Sequence, residues 1–187
     1  MKRIWDSSYE ENNYGDFFYA LMCIVKPETV VELGTKTGYS AYHIARGLKK
    51  NGKGKLYCYD LWEKYPYHSV QKSVAEANLK EFKDTMHLTL REARGVDQLH
   101  KTVDILHVDL SNEGGILEDI IPQWIDKTRQ LIIIEGGSRK RDQVEWMSKY
   151  HKIPIRKWLK AFKKKHQDIE NFTIGLFPSI TIINKKW

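Results

Sequence analysis

Cysteine is scarce in this chain. Its 187 residues hold two, Cys23 and Cys58, both in apolar surroundings and without metal-ligand spacing. That argues against a disulfide framework and against a cysteine-held metal, and it leads us to expect buried thiols in a reducing, cytoplasmic setting. No apolar run approaches the length needed to span a bilayer, so no membrane partner is expected. Met1-Lys2-Arg3-Ile4-Trp5 passes straight into Asp6 and the polar stretch from Ser7 to Asn13 without an apolar core, so no leader peptide is expected. Repeats and low-complexity tracts are missing as well. What is present is enough apolar content, 41%, to bury one core, and the expectation is a single α/β domain over residues 1–187.

Acidic residues are missing from one stretch in particular. Between His151 and Lys165 lie Lys152, Arg156, Lys157, Lys160, Lys163, Lys164 and Lys165, seven of the 31 basic residues, which leaves 24 against 24 acids elsewhere. The net charge of +7 is therefore one patch. Ile155, Trp158, Leu159 and Phe162 fall at i, i+3, i+4 and i+7, so a helix starting near Pro154 would bury that stripe and turn the lysines outward. A solvated face is the ordinary reading of such lysines, and recruitment of an anion, nucleic acid included, is the alternative.

The chain is organised around Val30-Val31-Glu32-Leu33-Gly34-Thr35-Lys36-Thr37-Gly38-Tyr39-Ser40-Ala41. Thr29 to Leu33 has the β-branched apolar composition of a strand buried on both faces. Ala41, Ile44, Ala45 and Leu48 then give one helical stripe. Glycine at 34 and 38 lets the connecting turn adopt positive φ and bring its backbone close to a ligand, with the N–H groups of the helix start facing an anion. A dinucleotide fingerprint would need three glycines as G-x-G-x-x-G, and here two stand four apart.

Glu-Leu-Gly-x-x-x-Gly-Tyr-Ser-Ala resembles motif I of class I S-adenosylmethionine-dependent methyltransferases, closest to the catechol O-methyltransferase-like, small-molecule branch. Tyr14-Gly15-Asp16 is similar to that branch's Val-Gly-Asp segment. The resemblance implies a Rossmann-like, doubly wound α/β fold with a seven-stranded, mostly parallel sheet closed by an antiparallel hairpin. It implies S-adenosylmethionine as cofactor. Gly34, Thr35, Lys36, Gly38 and Ser40 would cradle the methionine end, and Glu32 would meet its ammonium. Asp60 closes the second strand, Lys55 to Asp60, where an acid accepts both ribose hydroxyls. Trp62 would lie against adenine or else cap the sheet edge, and Glu92 would accept from the adenine amino group.

The rest of the chain supplies the other elements in alternation. Helices are expected at Asn13 to Ile24, Val70 to Phe82, Gly115 to Ile125 and Arg139 to Tyr150. Strands are expected at Met86 to Leu90, Val103 to Asp109, Leu131 to Glu135, Phe172 to Phe177 and Ile180 to Asn184, the last two joined tightly at Pro178-Ser179. Leu61 to Ser69, with Tyr65, Pro66, Tyr67 and His68, is a long loop.

On the acceptor side, Asp109 would sit where the methyl acceptor meets the sulfonium, with His107 two residues earlier as a core residue. The metal-dependent relatives place a Lys or His after the fourth-strand Asp and end the fifth strand in Asp-Asn or Asp-Asp. This chain has Leu110-Ser111-Asn112 and Glu135-Gly136-Gly137 instead. Asp109 and Glu135 remain as oxygen ligands, with Glu113 or Asn112 as a third, so a divalent metal stays open and an obligatory one is not expected. Glu113 is the substitute base, and Asp109, Glu113 and Glu135 form the catalytic set. The expected reaction is methylation of an oxygen on a small molecule or glycan unit. A nucleic-acid methyltransferase using residues 152–165 and a non-catalytic cofactor-binding protein are the alternatives, and the oligomeric state is open.

Overall fold

A computed structural model of the chain describes residues 3–67 and 70–185. His68 and Ser69 of the expected loop, and Met1 and Lys2 of the opening stretch, lie outside the described residues. The chain divides into two compact units, residues 1–99 and 100–187.

The first unit runs α1 (Tyr14–Val25), β1 (Thr29–Leu33), α2 (Tyr39–Asn51), β2 (Lys55–Asp60), α3 (Lys72–Leu79) and β3 (Met86–Leu90). Lys26, at φ 52°, ends α1 just before Pro27, as a residue preceding proline is barred from helix. β2 pairs in parallel with β1 on one side and β3 on the other. The second unit runs β4 (Val103–Val108), α4 (Gly114–Trp124), β5 (Thr128–Glu135), α5 (Arg139–Asp142), α6 (Glu145–Lys149), α7 (Ile155–Lys165), β6 (Ile169–Ile174) and β7 (Ile180–Lys185). β4 and β5 are parallel, while β7 is antiparallel to both β5 and β6. All seven strands belong to one mostly parallel sheet, the Rossmann-like α/β arrangement expected.

Periodicity located α7 well. Ile155, Trp158, Leu159 and Phe162 are buried, and Arg156, Lys157, Lys160, Lys163, Lys164 and Lys165 are exposed. Four expectations need correction. β5 starts at Thr128 rather than Leu131, and the helix expected at Val70 to Phe82 is α-helical only over Lys72–Leu79, with a 3-10 turn at Lys80–Phe82. The helix read over Arg139 to Tyr150 is two short helices, because Val144 is extended at ψ 146° between α5 and α6. β6 starts at Ile169 rather than Phe172, and the link to β7 is residues 175–179 with a cis Phe177–Pro178 bond. Pro178 has no N–H for a ladder, so pairing stops at Ile174 opposite Ile180. Of the two thiols expected to be buried, Cys58 is buried and Cys23 is half-buried.

In the first unit α1 and α2 approach closely, and two glycines permit it. A methyl group on Gly47 would collide with Met22 Cβ, and one on Gly15 would enter the His43 ring. His43 packs at a tilt of 51° against Tyr39 with centroids 4.8 Å apart and meets the edge of Tyr42 at 5.2 Å. Burial, and then the Arg46 guanidinium, hold His43 down at about 4 against an ordinary 6.5, with Asp16 opposing.

Two outcomes are expected from this packing. Gly47→Ala gains roughly 1 kcal/mol of helix propensity but overpacks the α1–α2 contact at a cost of about 1–3 kcal/mol, so urea unfolding should show a net loss. The second concerns pH. Because His43 is depressed on folding, its contribution is fully present above about 6.5 and is lost as pH falls toward 4. Urea midpoints measured across that window should decline more steeply for the wild type than for His43→Phe, which keeps an aromatic ring against Tyr39 and Tyr42 without a titrating group. Equal slopes would refute the assignment.

Candidate functional site

In the first unit β1 delivers Glu32 and Leu33 to a turn whose backbone is left-handed at Gly34, Lys36 and Gly38, with φ of 89°, 50° and 88°. A side chain at Gly38 would meet Leu79 Cδ1 at 2.6 Å, so glycine is required there both for φ and for space. Asp60 shapes this turn from the end of β2. Its Oδ2 accepts from the backbone N–H groups of Thr35 and Lys36, both at 2.7 Å, and its Oδ1 accepts from Trp62 N–H at 2.8 Å. A carboxylate accepting several amides is a rigid, charge-assisted strut. Trp62 completes it by donating its indole N–H to the Lys36 carbonyl at 2.8 Å. The indole is fully buried, so Trp62 offers no open face for adenine and serves as a floor for the turn.

Glu32 is also fully buried. It accepts from the Thr35 hydroxyl at 2.9 Å and from the Ser40 hydroxyl at 2.6 Å, which ties β1, the turn and the first turn of α2 together. α2 begins at Gly38 with no side-chain cap. The N–H groups of its first turn are thus left to a ligand or solvent, and such a start favours an anionic group.

Asn78 holds the turn from the opposite side. It is 6% exposed and lies inside α3, where its amide pairs with the backbone of Ile4 as a neighbouring strand would. Nδ2 donates to the carbonyls of Ile4 at 2.7 Å and Thr37 at 2.9 Å, and Oδ1 accepts from Ile4 N–H at 3.1 Å. Asp6 adds a backbone N–H to Thr37 Oγ1 at 2.9 Å and a carboxylate to Lys36 Nζ at 2.7 Å. The N-terminal segment therefore straps the cradle turn. Sequence reading missed this role, although a lone Asn between Ala75 and Leu79 on a buried helical stripe is a usable signal. Glu92 lies on an exposed stretch and pairs with Arg94 at 2.8 Å.

In the second unit Asp109 follows the end of β4 and is half-buried, and Glu135 ends β5 and is buried. Asn112, at φ 48°, donates from Nδ2 to Glu135 Oε2. Its Oδ1 is buried and has no hydrogen-bond partner. Glu113, expected as the base, is instead the N-cap of α4. It accepts from the N–H groups of Gly115 at 2.7 Å and Ile116 at 3.2 Å, with Lys152 Nζ 3.7 Å away. That commits both of its oxygens to holding the helix start. His107 is fully buried within β4, as expected of a core residue. Among the described residues no three His, Cys, Asp or Glu side chains are grouped to hold a metal ion.

The chain is similar to known proteins. A family model described as a methyltransferase domain matches residues 31–149. A catechol O-methyltransferase of Niastella koreensis is 32% identical over 92 residues, which take in 49% of this chain and only 38% of that relative's length. Among solved structures, an O-methyltransferase of Streptomyces achromogenes involved in tomaymycin synthesis, in complex with SAM, has a TM-score of 0.70 at 16% identity, covering 96% of this chain and 86% of that one. An O-methyltransferase of Bacillus cereus in complex with SAH has a TM-score of 0.69 at 18% identity, over 96% and 83% of the two chains. At such identities the structures establish the fold, and the family match carries the assignment: the chain belongs to the methyltransferase-domain family.

Proposed function

We propose that this chain is an S-adenosylmethionine-dependent O-methyltransferase acting on a small molecule. The observation that carries the reading is the turn fixed by Asp60 and Glu32 ahead of an uncapped helix start, within a methyltransferase-domain match. When bound, the cofactor supplies an electrophilic methyl group on a sulfonium. The helix start at Gly38 and Ser40 receives the amino-acid carboxylate, and Glu32 faces the ammonium with its charge already oriented by two hydroxyls. Asp60 fixes Thr35 and Lys36 and would accept from the ribose hydroxyls. Asp109, Glu135 and Asn112 are the acceptor-side groups, with Asn112 Oδ1 as a buried site for the acceptor's hydroxyl. Rate acceleration on this reading comes from aligning a nucleophile with the methyl group and excluding water.

Nucleic acid is the weaker reading, because the lysines of α7 are accounted for by burial of its opposite stripe. A small-molecule acceptor agrees with the named activity of the Niastella relative.

Calorimetric titration with S-adenosylhomocysteine tests the reading. Micromolar affinity, about −8 kcal/mol, is expected for the wild type, and Asp60→Ala should weaken it at least tenfold by releasing the turn. Failure of the wild type to saturate at high micromolar ligand would remove the proposal.

A further inference from the structure

Arg141 is 7% exposed, although arginine is seldom buried without a partner. Its Nη1 is buried with no hydrogen-bond acceptor, and among the described residues no carboxylate pairs with the guanidinium. The neighbouring acid does not serve it, since both oxygens of Asp142 accept from the backbone N–H groups of Ile155 and Arg156 and hold the start of α7. The guanidinium carbon instead lies 5.0 Å from the centroid of the Trp146 ring, which is itself partly exposed. Arginine cannot shed its charge at any pH a protein experiences, so neutralisation offers no escape from burial. A cation kept in this state satisfies part of its requirement on the aromatic face and leaves the rest to a group that arrives from outside.

Its position says what kind of group. The stem of Arg141 packs on Gly136, with Cγ 3.6 Å from where a side chain at that residue would begin, directly after Glu135 at the end of β5. Glu135 in turn holds Asn112, whose Oδ1 is the other orphaned atom of this rim. The Glu135–Gly136 step is thus flanked by a buried acceptor lacking a donor and a buried cation lacking an anion.

We propose that Arg141 binds an oxyanion carried by the methyl acceptor, so that the enzyme's substrates are hydroxylated small acids, carboxylates or phosphate esters. This rests on the reading that the end of β5 faces the acceptor. Planar guanidinium and oxyanion match in a two-point hydrogen-bonded pair that a lysine does not reproduce.

The test uses the full chain and two simple probes, benzoate and inorganic phosphate, titrated calorimetrically against wild type, Arg141→Met and Arg141→Lys, with benzyl alcohol as the uncharged control. Wild type should bind at least one anion saturably and at least tenfold better than benzyl alcohol; benzoate alone would identify a carboxylate and phosphate alone a phosphate ester. Arg141→Met should lose that preference, Arg141→Lys should lose most of it, and both should bind S-adenosylhomocysteine as wild type does. Thermal unfolding supplies a second readout, because removing an unpaired buried charge should leave Arg141→Met at least as stable as wild type without anion. Absence of anion binding by the wild type, equal binding by Arg141→Met, or a destabilised or unfolded Arg141→Met would each overturn the proposal. If the wild type binds the anion but not S-adenosylhomocysteine, the cofactor reading fails and the anion site stands.

Discussion

Three backbone N–H groups converge on the carboxylate of Asp60, and the site depends on that convergence. The turn after β1 needs left-handed backbone at Lys36, a conformation that a residue with a side chain adopts only when its surroundings enforce it. Asp60 enforces it from one strand away. Parallel pairing puts Leu33 opposite Tyr59, which brings the end of β2 level with the turn. Sheet register and the loop's glycines together therefore set the shape of the cradle. The strap through Asn78 acts on the same turn from the other side, so the segment from Gly34 to Gly38 is held before any ligand arrives. Such pre-organisation lowers the ordering cost of binding.

Much of the fold was legible because its signals are periodic and local. Strand β1 and the Leu131 to Ile134 part of β5 are dominated by apolar residues, and the stripes of α2 and α7 repeat at helical spacing. Glycine at 34 and 38 marked the turn. Legibility failed where a tertiary contact overrode a local pattern. The span from Arg139 to Tyr150 has helical composition throughout, yet Asp142 is drawn off to cap α7 and the chain extends at Val144. At the closing hairpin, register with β7 and the missing N–H of Pro178 set the strand end.

The site divides along the same line. Position singles out Glu32, Ser40 and Asp60 as candidates, and their immediate partners are one another, Thr35 and the backbone, which no spacing rule reports. Glu113 read as a spare carboxylate, and only the hydrogen bonds to Gly115 and Ile116 reveal a helix cap. Arg141 sits in the run Arg139-Lys140-Arg141, where three adjacent charges look alike until burial separates the last from the others. Sequence pattern reports which face an element buries, and it is silent on a charge that enters that face.

Cys58 pairs with Glu32 across β1 and β2, and its thiol lies within hydrogen-bonding reach of Glu32 and Thr35. Burial first, and then the charge of Glu32, push this thiol well above its ordinary value. Sulfur attacks electrophiles as the thiolate, so a cysteine held in the thiol form is chemically quiet. Burial, with the carboxylate that bonds Thr35 and Ser40 adding to it, thus keeps a latent nucleophile in the wall of this turn in its unreactive form.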